Sequence, residues 1–257
     1  MHFESTGEGQ AIVFIHGLFG SLDNLKGLSK TLCDRYRTIR IDLPSHGQSS
    51  HTEEMDYPSM AAQLAKLLDT LQIPKTHLVG HSLGGKLAMA FALSYPDRVL
   101  SLTVADIAPV SYPPRHLAVF AALEKINLTM LDTRQSALTQ LLSAGIDSAT
   151  VQFLLKNLTK SEQGFRWKMD LAALKRNYAR LIDWPYAGQQ QTPFTGAVLF
   201  VRGDRSDYLT ADSREAVLKQ FPHARVKTIV GTGHWLHAEK PAQFNRIVGR
   251  FIDDNAL

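Results

Sequence analysis

Apolar residues along the chain recur with two different periods in turn. Residues 11–15 (AIVFI) form a short unbroken apolar run, the pattern of a strand covered on both faces, and the run stops at His16-Gly17, where a loop has to begin. In 23–33, Leu25, Leu28 and Leu32 recur at helical spacing, whereas 36–43 (YRTIRIDL) alternates as a strand does and runs into Pro44-Ser45-His46-Gly47. Residues 57–71 predict a helix with Met60, Leu64, Leu67, Leu68 and Leu71 on one face and Pro58 in its first turn. The rhythm then repeats: a strand at 76–80 (THLVG), a helix at 84–95 stopped before Pro96, and a strand at 99–105. Further on, 197–201 and 226–230 read as two more strands, each followed by a turn and a helix, the last helix spanning 242–252. Strands alternating with helices of this length require crossover connections and therefore a mostly parallel sheet.

Residues 111–185 break that rhythm. Apolar helical stretches occur at 117–126 and 151–158 with no clear strand between them, after Tyr112-Pro113-Pro114. Three or four helices inserted between two sheet strands are expected to lie across the strand ends as a lid. The expected organisation is thus an α/β core made of 1–110 and 186–257, with a helical cap at 111–185.

Composition narrows the class. A chain that is 44% hydrophobic with a net charge of +4 is neither disordered nor a nucleic-acid tail. The lone cysteine, Cys33, cannot form an internal disulfide or a thiolate cage, which fits a reducing, cytoplasmic setting, and it is expected to be a small buried hydrophobe. The first ten residues lack a charged-then-apolar leader pattern, and no apolar run reaches the roughly 18 residues of a membrane span. Net charge is unevenly placed: 111–185 holds 10 Lys plus Arg against 6 Asp plus Glu, while the remainder holds 18 of each.

The chemistry concentrates at turns after strands. Gly80-His81-Ser82-Leu83-Gly84-Gly85 joins an apolar strand to an apolar helix, and the flanking glycines leave room to hold a serine exposed in a tight turn. At a helix start, Ser82 Oγ also lies near unpaired backbone N–H groups as negative charge develops on a reacting group. A serine nucleophile needs a base. His234, in Gly231-Thr232-Gly233-His234-Trp235, follows the last strand and so belongs to the same end of a parallel sheet as Ser82; His237, three residues on, is the weaker alternative. His16 is expected to organise its loop and Asp42 to anchor its own turn. His46 and Asp42 lack the spacing of a metal site, and no glycine-rich phosphate loop is present, so neither metal nor cofactor is implied.

Taken together, the chain resembles the α/β-hydrolase superfamily over nearly its whole length, and more narrowly a bacterial esterase and acyl-CoA thioesterase group related to the abhydrolase-domain proteins. The resemblance rests on His16-Gly17-Leu18-Phe19-Gly20-Ser21, on residues 42–49 (DLPSHGQS) and 80–86 (GHSLGGK), on Asp106-Ile107-Ala108-Pro109-Val110, and on residues 233–241 (GHWLHAEKP). One departure is Ser45, where many relatives have glycine. The resemblance implies a mostly parallel hydrolase sheet flanked by helices and a Ser, acid, His triad in that order. In most such hydrolases the acid follows the next-to-last strand, yet Gly203-Asp204-Arg205-Ser206 has serine there, with Asp204 and Asp207 at flanking offsets. Asp106 matches the group whose acid sits one strand earlier, with Asp207 and Asp204 as alternatives. The oxyanion donors implied are the amides of Leu83 and Leu18, with Phe19 next, and the apolar side chains of Leu18 and Phe19 are expected to line an acyl pocket.

The implied activity is hydrolysis of a carboxylic ester or acyl thioester through an acyl-serine. A carbon–carbon lyase of menaquinone synthesis and the cofactor-free haloperoxidases share this apparatus, and a non-catalytic binding protein is a third class; the partner expected is a small molecule, not nucleic acid or membrane. The basic excess in 111–185 generates a test. The double change Lys156→Glu and Lys160→Glu is expected to raise KM for an acyl-CoA more than for an uncharged ester of the same acyl chain, with added salt narrowing the gap. Equal KM changes, with no difference in salt response, would leave the excess as ordinary surface charge.

Overall fold

The computed structural model describes residues 1–162, 164–188 and 192–257. Among the described residues the central sheet has seven strands: β1 (Phe3–Thr6), β2 (Ala11–Ile15), β3 (Arg37–Ile41), β4 (Thr76–His81), β5 (Val99–Ala105), β8 (Ala197–Gly203) and β9 (Ala224–Ile229). Their order is β1-β3-β2-β4-β5-β8-β9, and all neighbours are parallel except β1 and β3. The parallel sheet expected from the strand–helix rhythm is therefore present, with β2, β4 and β5 at its centre.

All three are covered on both faces, and β2 in consequence reads as an unbroken apolar run, while β4 and β5 also bury polar residues such as His77 and Thr103. Alternate residues of β2 go to opposite sides. Ile12 and Phe14 pack with Leu28 and Leu32 of α1 (Lys26–Leu32) and with Phe244 and Val248 of the last helix (Pro241–Asp253). Val13 and Ile15 pack on the other face with Leu64 and Leu68 of α2 (Tyr57–Thr70) and Leu87 and Phe91 of α3 (Leu83–Ser94). α2 starts at Tyr57 with Pro58 in its first turn, as expected, and the structure adds a cap: Asp56 accepts from the Ser59 amide at 2.7 Å. α3 is apolar all round because it is buried all round; Leu87, Met89 and Phe91 are each 0% exposed, burial that stabilises by about 1.5–3 kcal/mol per side chain.

Between β5 and β8 the chain forms α4 (Leu117–Lys125), α5 (Arg134–Ser143), α6 (Ser148–Leu155) and α7 (Leu171–Ile182). It also forms a short antiparallel hairpin, β6 (Leu158–Ser161) with β7 (Gly164–Trp167), where no strand was expected. Four-residue strands give little alternation to read, and of the paired ends only Leu158 and Trp167 are buried. The edge strands were also hard to read. β1 is polar and mostly exposed and carries no apolar pattern; β9 begins two residues earlier than its apolar run because Arg225 to Thr228 are exposed on the open edge. Cys33 is a further correction: it lies just past the end of α1 and is half-buried rather than enclosed. Among the described residues no helix is long and apolar enough to cross a membrane.

One close approach fixes how α3 meets the sheet. A Cβ on Gly84 would sit 2.3 Å from the Ile15 carbonyl oxygen, so only glycine lets the helix start this near β2. Gly84→Ala is expected to lower stability by about 2–3 kcal/mol, read from urea unfolding; an unchanged midpoint would show that the helix yields freely.

Candidate active site

Ser82 sits between β4 and α3 with φ 54° and ψ −121°, a conformation a non-glycine residue adopts only under constraint. The constraint is visible on both sides: its amide donates to the Ala105 carbonyl at 2.9 Å, and its own carbonyl accepts from the Lys86 amide at 3.1 Å. The loop after β2 comes equally close, since a Cβ on Gly17 would lie 3.1 Å from Ser82 Cβ.

Asp106 follows β5 and is fully buried, also at positive φ, 53°. A buried carboxylate has to be satisfied by donors. Asp106 Oδ1 accepts from the Gly203 amide at 3.1 Å, while Oδ2 accepts from the Ser206 hydroxyl and from His234 Nδ1, the latter at 2.7 Å. Ser206 is the residue found where the commoner acid would stand, and its hydroxyl reaches the carboxylate one strand away. The other two acids are engaged elsewhere. Asp204 accepts from the Gly231 and Thr232 amides at 2.7 and 3.1 Å, which hold its carboxyl below the usual range, and Asp207 pairs with Arg115 at 2.6 Å in an exposed position.

His234 stacks on the Tyr208 ring at 4.0 Å, and its carbonyl accepts from His81 Nε2 at 2.9 Å. His81 is thus a tether between the serine turn and the histidine loop, kept neutral because burial pushes its pKa far down. His237 packs on the His81 ring at 4.4 Å and, pushed down to about 3 by burial, is a neutral packing group. Ser82 and His234 line one cavity of about 330 Å3, together with Leu18, Phe19, His116, Phe153 and Trp235. Among the described residues no hydrogen bond joins Ser82 Oγ to His234; such contacts commonly tighten only with substrate bound.

The loop after β2 is organised by two histidines. His16 Nδ1 donates to the Gly17 carbonyl at 2.8 Å and Nε2 accepts from the Leu43 amide at 3.0 Å, with burial lowering its pKa to about 4. His46 Nε2 accepts from the Phe19 amide at 3.2 Å, and burial lowers this ring to about 3. That bond occupies the Phe19 amide, whereas among the described residues the Leu18 and Leu83 amides have no protein acceptor. Asp42 accepts from the Leu22 and Gln48 amides at 2.8 and 2.9 Å, anchoring its turn. Among the described residues no three His, Cys, Asp or Glu side chains are grouped to hold a metal ion.

Sequence reasoning missed the supporting groups Ser206, Tyr208 and His81. Ser206 left a trace as a serine where an acid was due, and His81 lies within the serine motif itself; Tyr208 left none.

The fold and this arrangement define an esterase- or lipase-like hydrolase, and the chain belongs to the alpha/beta hydrolase fold family, whose profile matches residues 10–241. It is similar to Esterase YbfF of Escherichia coli (strain K12), at 38% identity over 95% of this chain and 93% of that protein. It is also similar to the sn-1-specific diacylglycerol lipase ABHD11 of Mus musculus, at 36% identity over 94% of this chain and 80% of the relative. Among solved structures, a marine microorganism esterase superposes with a TM-score of 0.91 at 35% identity, covering 97% of this chain and 98% of that one.

The contacts of the three acids separate them experimentally. Asp106→Asn is expected to lower ester turnover by about 10⁴-fold, the scale for losing the correct histidine tautomer in a comparable triad, while Asp204→Asn and Asp207→Asn keep most activity. Steady-state kinetics of the three variants decides it; a crippled Asp207→Asn beside an active Asp106→Asn would move the acid to the later loop.

Proposed function

We propose that the protein cleaves carboxylic esters or acyl thioesters through an acyl-serine, with Ser82 as nucleophile, His234 as general base and Asp106 as the group that orients it. The observation that carries this reading is the 2.7 Å bond from His234 Nδ1 to a carboxylate with no exposure to water, in a ring that shares its cavity with Ser82. With Nδ1–H committed to Asp106, Nε2 is the unprotonated nitrogen and takes the Ser82 proton as Oγ attacks the carbonyl carbon. Asp106 then faces an imidazolium and stabilises it.

The carbonyl oxygen, now an oxyanion, is received by the Leu18 and Leu83 amides, which among the described residues have no competing acceptor. Collapse of the tetrahedral adduct breaks the bond to the leaving alcohol or thiol, which takes its proton from His234 Nε2. A water molecule deprotonated by His234 then attacks the acyl-serine by the same route, releasing the acid and restoring Ser82. None of these steps calls on a cofactor. A reducing, cytoplasmic setting is part of this reading and rests on the single cysteine.

A fluorophosphonate probe tests the nucleophile directly. The expected outcome is one covalent adduct on the peptide carrying Ser82, absent from folded Ser82→Ala along with ester turnover. An adduct on another residue, or undiminished turnover by Ser82→Ala, would overturn the assignment.

A further inference from the structure

Two cavities meet at Ser82, and His234 lines only one of them. The larger, about 330 Å3, has His234 in its wall; the smaller, about 40 Å3, is bounded by Leu83, Ile107, Tyr112, Leu181, Ile182 and Lys86. His234 has to return a proton to the leaving group, so the leaving group belongs in the cavity that His234 lines. The acyl chain is left to the smaller one, and Phe19, which lines only the larger, then faces the leaving group rather than the acyl chain. At about 40 Å3 against about 330 Å3 the smaller space is by far the more confined of the two, which suits it to a short acyl chain.

The far wall of that space comes from the inserted segment, and a buried lysine holds it. Lys86 lies on α3 one turn beyond Ser82 and is 1% exposed. Its Nζ donates to the Ile182 and Asp183 carbonyls at 2.8 and 2.9 Å, at the end of α7, where carbonyls have no partner within the helix. The Tyr57 hydroxyl takes the Leu181 carbonyl at 2.5 Å and the Tyr112 amide takes that of Ile182 at 2.9 Å; among the described residues Asp183 O accepts from Lys86 alone. The rings of Tyr112, Tyr57 and Trp184 surround Nζ at 4.9, 5.8 and 6.0 Å. Burial lowers this lysine to about 7, with the Asp183 carboxylate the nearby opposing charge. A neutral amine keeps two N–H donors, enough for both carbonyls, so the tie holds in either protonation state. Burying an amine here is costly, and an apolar side chain would pack more cheaply; what Nζ holds is the reason for its presence.

We infer that Lys86 is a positioning residue that fixes Leu181 and Ile182 as the wall of a short-acyl pocket beside Ser82, and so sets the chain-length limit of the hydrolase. The inference rests on the serine-hydrolase reading above. Without Lys86 the end of α7 loses two tethers, the wall retreats, and short chains lose contact while longer ones gain room.

The test measures kcat and KM separately for p-nitrophenyl acetate, butyrate and octanoate with wild type, Lys86→Met and Lys86→Arg, alongside fluorophosphonate labelling of Ser82. Wild type is expected to favour acetate and butyrate over octanoate. In Lys86→Met, KM for butyrate is expected to rise about tenfold, the scale of losing a charge-assisted tie, with a smaller change in kcat and a flattened preference. Lys86→Arg, which keeps donors for both carbonyls, is expected to preserve the wild-type order. Ile182→Ala trims the wall without touching the lysine and gives the same flattening should Lys86→Met fail to fold. A wild type that prefers octanoate, or variants that label normally and keep the wild-type profile, would overturn this inference alone. A wild type that turns over ester without labelling at Ser82 would instead overturn the serine-hydrolase reading beneath it.

Discussion

The buried carboxylate of Asp106 is the joint on which the arrangement depends. It has no contact with water, and an ionised carboxylate in such a place is tolerated only when donors surround it. Its donors come from three places: the Gly203 amide at the end of β8, the Ser206 hydroxyl in the loop beyond, and His234 Nδ1 in the loop after β9. One charge therefore gathers the ends of two neighbouring strands and the loop of a third. Removing any donor leaves part of a buried charge uncompensated, so the positions of Ser206 and His234 follow from the same requirement.

Backbone strain serves the same end of the sheet. Ser82 and Asp106 directly follow adjacent strands, and both have positive φ, a cost of about 1–3 kcal/mol each. Both remain bonded to the next strand: the Ser82 amide donates to Ala105 O and the Asp106 amide to Val201 O. The ladder thus continues through each residue while the chain turns out of the sheet, which presents both side chains at the carboxyl end of the strands. His81 adds a tie from the serine turn to the His234 carbonyl, and Lys86 ties the same helix to the inserted segment.

Much of this was legible because it depends on local pattern. A fully covered strand such as β2 makes an apolar run, and a serine among glycines between strand and helix marks a sharp turn. Features that depend on distant partners left weaker marks. The polar edge strand β1 gains its place only by pairing with β3, and the β6–β7 hairpin is too short to show a period. The basic excess of 111–185 is less free than a count suggests, since Arg115, Lys168 and Arg180 pair with Asp207, Asp23 and Glu54 outside the segment. The division of the site into two cavities was not legible, because Leu181 and Ile182 reach Ser82 only through the way α7 is fastened.

The central claim is that Asp106 holds the Nδ1 proton of His234, and proton NMR observes that proton directly. In the Ser82 phosphonate adduct, where the imidazole is protonated, the wild type is expected to show a low-field, exchange-protected resonance that is lost in Asp106→Asn and retained in Asp207→Asn. A resonance that survives in Asp106→Asn and disappears in Asp207→Asn would contradict the account, because the histidine would then be oriented by a different carboxylate.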